Sequence, residues 1–167
     1  MSLRKPQTAS LKILEEIVTS VNLRKGMNLK AALGSVHAMY PICSDFEREF
    51  MSLTFALATG VGKTRLMGAC IAYLHYEKGI KNFFVMAPNL TIYKKLIADL
   101  GDPNNRKYAF QGLDRFVTPP RIVDGNNYEA FRQGSFGSSD IVINVFNIAK
   151  LNADSKVKDG KPARIKR

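Results

Sequence analysis

Apolar and polar positions alternate along this chain in two different rhythms. In residues 7–21, Leu11, Leu14, Ile17 and Val18 recur at helical spacing with Glu15 and Glu16 turned away, which predicts an amphipathic helix. Residues 29–39 predict a second helix, followed by Pro41 and the mixed-charge stretch Asp45-Phe-Glu-Arg-Glu-Phe50. Residues 53–57 form a short apolar run suited to a buried parallel strand. After it, Leu66, Met67, Cys70, Ile71 and Leu74 return to helical spacing until about Lys78, with Gly79 as the stop signal. Residues 82–87 read as another buried strand, closed by Pro88-Asn89. A helix is expected over 91–100, with Ile92, Leu96 and Leu100 inward and Lys94 and Lys95 outward. Residues 101–120 are rich in Gly, Asp, Asn and Pro and are expected to form a loop, a variable excursion from the core. Residues 121–124 predict a brief strand, and 140–146 the clearest strand of the carboxy-terminal half, entered through turn-forming residues 134–139.

Strands alternating with helices of this length predict an α/β fold, a parallel sheet with helices on both faces. The chemistry that can be named sits between the 53–57 run and the helix after it, in Ala58-Thr59-Gly60-Val61-Gly62-Lys63-Thr64. This is a phosphate-binding (Walker A) loop in its expected strand–loop–helix setting. Gly60 and Gly62 lack Cβ, so the backbone can bring its N–H groups against a polyphosphate. Lys63 supplies a mobile charge for the β- and γ-phosphates, and the Thr64 hydroxyl is the expected Mg²⁺ ligand. The following helix points the positive end of its dipole at the same anion. Thr59, Val61 and Arg65 complete the candidate nucleotide contacts. One position departs from the general G-x-x-x-x-G-K-[ST] pattern: its first glycine is here Leu57.

Composition narrows the setting. The chain has 167 residues, 46% hydrophobic and 23% charged, as expected of one globular domain with a core. No apolar run approaches the roughly 20 residues of a membrane span, and residues 1–7 lack the apolar core of a secretory signal, so the expected location is the cytoplasm. Cys43 and Cys70 are isolated and read as buried thiols of a reducing compartment; His37 and His75 have no partner at ligand or general-base spacing. The net charge of +11 favours an anionic partner such as nucleic acid. Residues 150–167, however, hold seven Lys or Arg against two Asp, and this segment reads equally as a DNA-binding basic arm or a mobile linker.

Three further segments give the loop a context: Leu3-Arg4-Lys5-Pro6-Gln7 ahead of it, Ala87-Pro88-Asn89-Leu90 after the next strand, and the 140–146 strand running into Asn147-Ile148-Ala149-Lys150-Leu151. In this order the four segments resemble the motifs of superfamily-two helicases and translocases. The closest resemblance is to the restriction (Res) subunits of type III, and also type I, restriction enzymes. That family commonly has a bulky apolar residue where Leu57 stands. The resemblance implies a partial RecA-like P-loop domain over 53–149, preceded by a helical segment, 1–52, and followed by the basic segment 150–167.

By the same resemblance, Gln7 reads the adenine edge, since its amide both donates and accepts. The plainer alternative is a solvated residue near a helix start. Pro88, Asn89 and Leu90 would touch a nucleic-acid backbone; without the family they are a strand-to-helix turn with Thr91 as the cap. Asn147 would lie in the next DNA-facing loop. ATP and Mg²⁺ are the implied cofactors. Double-stranded DNA, a modification or specificity subunit, and the remainder of a motor and nuclease chain are the implied partners.

Hydrolysis requires a hydrophobic strand ending in Asp-Glu to hold Mg²⁺ and position water. Neither 83–87 nor 141–146 ends so, and Asp140 and Asp154 are misplaced for it. No catalytic residue is therefore expected here, and the resemblance implies an amino-terminal piece that binds ATP without turning it over. Two other functions fit the residues less fully. One is a P-loop nucleotide or small-molecule kinase, with Arg106, Arg115, Arg121 and Arg132 as lid candidates. The other is a non-enzymatic basic nucleic-acid-binding module.

Overall fold

The computed structural model describes residues 2–129 and 141–148. The expectations for 134–139, Asp140, Arg132, Asp154 and the basic segment 150–167 lie outside the described residues. Two compact units emerge, residues 2–66 and the described residues from Met67 onward.

In the first unit, α1 (Lys5–Ser20) and α2 (Leu29–Met39) fall where the apolar periodicity puts them. Leu14, Ile17 and Val18 are buried on α1, and the stripe extends upstream to Gln7 and Ser10 at three- and four-residue steps. Asn28 caps α2, its side-chain oxygen accepting from the Ala31 N–H at 3.0 Å. Ile17, Val21, Ala32, Val36 and Phe46 form the core of this unit. Phe46 is the anchor that the mixed-charge stretch contributes, whereas Phe50 stands 62% exposed. Residues 53–57 do not form the strand expected of them. They alternate between half-buried and exposed but join no ladder among the described residues. Apolar character suits a strand for burial, but only a neighbour's N–H and C=O groups make it one.

α3 (Lys63–Lys78) begins at the phosphate loop. It ends at Gly79, whose φ of +65° turns the chain while its N–H closes on the His75 carbonyl at 3.0 Å. The second unit is built on a parallel three-stranded sheet in the order β1–β3–β2, from β1 (Asn82–Ala87), β2 (Arg121–Val123) and β3 (Val142–Asn147). α4 (Leu90–Gly101) packs on it.

The register places Val85 beside Val145, Phe83 beside Ile143, and Ile122 on the far side of Ile143. All lie on one sheet face, because side chains alternate across a strand. That face meets Ile71 and Ala72 of α3 and Tyr93, Leu96 and Leu100 of α4. On α4, therefore, Tyr93 takes the inward place that spacing assigned to Ile92, which is 37% exposed. On the opposite face Phe84 stacks on Phe146, with centroids 5.4 Å apart, and Tyr128 meets Phe146 edge-on. Even so, Phe84 and Met86 stay 57% and 54% exposed.

Residues 101–120 depart most from expectation. They form no long element, only a 3₁₀ turn at Asp114–Phe116, yet they are not a surface excursion. Tyr108, Phe110 and Phe116 are almost fully buried, and the last two rings stack 4.2 Å apart. The polar residues that read as loop formers are what fold this aromatic cluster inward. Asp102 and Asn105 accept from the Asn104 and Lys107 N–H groups in tight turns. Buried Asp99 anchors the segment through Asn105 Nδ2 at 3.1 Å and is paired with Lys95 at 2.8 Å.

Both cysteines are free and half-buried rather than fully buried. Burial pushes the Cys70 thiol up to about 11. Thiolate is the reactive form, so Cys70 should resist iodoacetamide in the folded chain at pH 8 and react on denaturation, as peptide mass mapping would report. A closer packing test lies at Gly68 in α3. A Cβ there would sit 2.8 Å from both Ala109 Cβ and the Ala109 carbonyl oxygen. Gly68→Ala should lower the thermal midpoint, overpacking costing about 1–3 kcal/mol against the gain of about 1 kcal/mol in helix propensity. An unchanged or raised midpoint would show that Ala109 does not press on α3.

Candidate functional site

The phosphate loop and the start of α1 are brought together within the first unit. Gly60 and Gly62 have φ of +79° and +87°, the left-handed region that glycine enters without the Cβ penalty. Lys63 is the first residue of α3, so the loop delivers the chain straight into a helix amino terminus. Its ammonium donates to the Ala58 carbonyl at 2.9 Å, folding the side chain across the loop. Thr64 and Arg65 are half-buried on the first turn, and burial lowers the Arg65 guanidinium from its ordinary value. Thr59 is exposed on the loop and Val61 half-buried.

Gln7 is not the solvated residue of the plainer alternative; it is 3% exposed. It occupies the third position of α1, and its Oε1 accepts from the Arg4 N–H at 2.8 Å. This is one half of a capping box. The other half is absent because Arg4, the N-cap residue, has no side-chain acceptor. Gln7 Nε2 donates to the carbonyls of Val61 and Gly62, both at 2.9 Å. The contact leaves no slack: a Cβ on Gly62 would come within 2.5 Å of Nε2. Arg4 Nη1 donates to the Gly60 carbonyl at 3.0 Å. Sequence reasoning placed Gln7 near this site on family grounds but missed Arg4. The legible signal was a cap position held by a long cationic donor three residues before a buried amide.

The loop is thus held by side chains along its carbonyl side. The carbonyls of Ala58, Gly60, Val61 and Gly62 are all engaged by side chains, and a lysine of the same loop supplies the cation.

The remaining candidates lie in the second unit. Ala87 pairs with Asn147 across β1 and β3, so Pro88, Asn89 and Leu90 leave from the carboxyl edge of the sheet. All three are exposed. Asn147 does not lie in a following loop; it ends β3 and is 5% exposed, because its register beside Ala87 keeps it in the sheet. The cap of α4 is Asn89 rather than Thr91, its Oδ1 accepting from the Ile92 N–H at 2.9 Å. Of the arginines considered for a kinase lid, Arg115 lies over the Tyr76 ring at 5.0 Å, a cation–π contact with the core rather than with an open cleft. Among the described residues there is no cluster of His, Cys, Asp or Glu that could hold a metal ion. No helix among them is long and apolar enough to cross a membrane.

Asn89→Ala should destabilise the chain by about 1 kcal/mol through the lost cap, while Thr91→Ala should change it by a few tenths at most. Urea midpoints of the two variants decide between the caps.

Comparison with known proteins agrees with this geometry. The family model described as "Type III restriction enzyme, res subunit" matches residues 1–165. The chain is 30% identical over 110 residues to the "Probable type III restriction-modification enzyme HindVIP Res subunit" of Haemophilus influenzae. That alignment covers 66% of this chain and 20% of the relative, so the chain spans about a fifth of the length of the relative it matches. No solved structure matches it. The chain belongs to the type III restriction enzyme Res subunit family.

Proposed function

We propose that this chain is the Mg·ATP-binding part of a DNA-dependent ATPase, the helicase-translocase motor of a type III restriction endonuclease. The observation that carries the proposal is the loop at the head of α3: two glycines at positive φ, then Lys63 as first helical residue. Family membership supplies the setting.

In this reading residues 53–149 are the nucleotide-binding core, 1–52 the segment that braces it, and 150–167 lie beyond it. The N–H groups of residues 59–65 would face the phosphates. Lys63 would exchange the Ala58 carbonyl for the β- and γ-phosphate oxygens, and the Thr64 hydroxyl would hold Mg²⁺. When bound, Mg²⁺ would neutralise phosphate charge, while this chain's own groups orient the triphosphate. Gln7 can read adenine only by giving up one of its two bonds to the loop, because both are made by its amide nitrogen. Base recognition and loop geometry would then be coupled. Pro88, Asn89 and Leu90, exposed at the sheet edge, would meet the DNA backbone. Buried Asn147 would support that edge rather than touch the nucleic acid. A modification subunit, a nuclease domain and a cytoplasmic setting follow from the same reading.

Calorimetric titration with Mg·ATP tests it. Binding should be saturable and weakened tenfold to on the order of a hundredfold in Lys63→Ala, the range for a hydrogen bond to a charged group. With no Asp-Glu strand end in the sequence, phosphate release should not rise above the buffer rate. Robust turnover by these 167 residues would sink the proposal that they bind without hydrolysing.

A further inference from the structure

We propose that Arg4 is a positioning residue of the phosphate loop, acting with Gln7 to aim the loop's N–H groups at the anion. The inference rests on the nucleotide-binding reading above and adds a residue to it.

In a trans peptide, the C=O of one residue and the N–H of the next point in opposite directions across a rigid plane. The chain has no cis peptide among its described residues. Holding the Gly60 carbonyl therefore orients the Val61 N–H. Holding the Val61 and Gly62 carbonyls orients the Gly62 and Lys63 N–H groups in turn. Those three successive carbonyls are the ones that accept from Arg4 Nη1, Gln7 Nε2 and Gln7 Nε2, at 3.0, 2.9 and 2.9 Å. The start of α1 thus grips three peptide planes by their oxygens, leaving their hydrogens on the far side.

Such a grip is needed here. Positive φ at Gly60 and Gly62 gives the loop its curve, but glycine also has the widest choice of other conformations. A loop of this kind loses affinity if it must order itself around the ligand. Gln7 alone cannot hold the first plane, since its amide nitrogen is already shared between Val61 and Gly62. Arg4 reaches Gly60 because an arginine at an N-cap has no capping bond to make. Its Gly60 contact is solvent-exposed, so the side chain can be replaced without opening the core.

Arg4→Met and Arg4→Lys distinguish positioning from charge. The ligands are Mg·ATP and inorganic tripolyphosphate, titrated into the 167-residue chain at low and high salt. Arg4→Met should weaken both ligands by about tenfold and to the same extent, with an unchanged thermal midpoint. The loss should persist at high salt, where a mere charge effect is screened. Arg4→Lys, which keeps a donor, should recover part of it. In the ligand-free chain, the Val61 amide resonance should move in Arg4→Met. An unmoved resonance overturns the proposal whatever the binding result. So does unchanged tripolyphosphate binding by Arg4→Met, and so does a loss confined to ATP, which would make Arg4 a base or ribose contact. If the parent chain binds neither ligand, the nucleotide-binding reading itself falls, and the role of Arg4 falls with it.

Discussion

The candidate site depends on one buried amide. Gln7 Nε2 lies between two loop carbonyls, and Gln7 Oε1 holds the N–H that opens α1. A single side chain thus ends one element and shapes another more than fifty residues away. Because the amide is buried, its hydrogen bonds cannot be exchanged for water without cost, so the two segments are held more firmly than a surface contact would hold them. The absence of a side chain at Gly62 is the complement of this arrangement, leaving room for the amide and nothing larger.

What the sequence made legible was what local physics decides. The helical stripe of α1, the full extent of α2, the loop-to-α3 transition and the paired strands β1 and β3 all follow from apolar spacing and glycine placement. The phosphate loop was readable because its chemistry lies in a few consecutive residues. Family likeness added the motifs around it, and the match over residues 1–165 agrees with that likeness.

What was not legible depended on partners distant in the chain. Residues 53–57 have strand composition but no ladder, and composition does not reveal whether a neighbour is present. Residues 101–120 have loop composition, yet they bury three aromatic rings, because their turns serve to return the chain to the core. Asn147 illustrates the same point from the other side. Its place in the sequence suggests an exposed loop, while its register beside Ala87 buries it. Tyr93 displaces Ile92 from the interior because a one-residue difference on a helix is a rotation of about 100°.

β1 brings a practical consequence. It is one of the two outer strands of the sheet among the described residues, and its sequence, Asn-Phe-Phe-Val-Met-Ala, carries no charge and no proline. Half-exposed Phe84 and Met86 sit on its outward face. Natural edge strands are usually blunted by a lysine, a bulge or a covering segment, and β1 has no such guard within its own six residues. The backbone N–H and C=O groups on the outer side of β1 have no strand partner among the described residues. A strand of this composition favours self-association, which a net charge of +11 opposes through mutual repulsion.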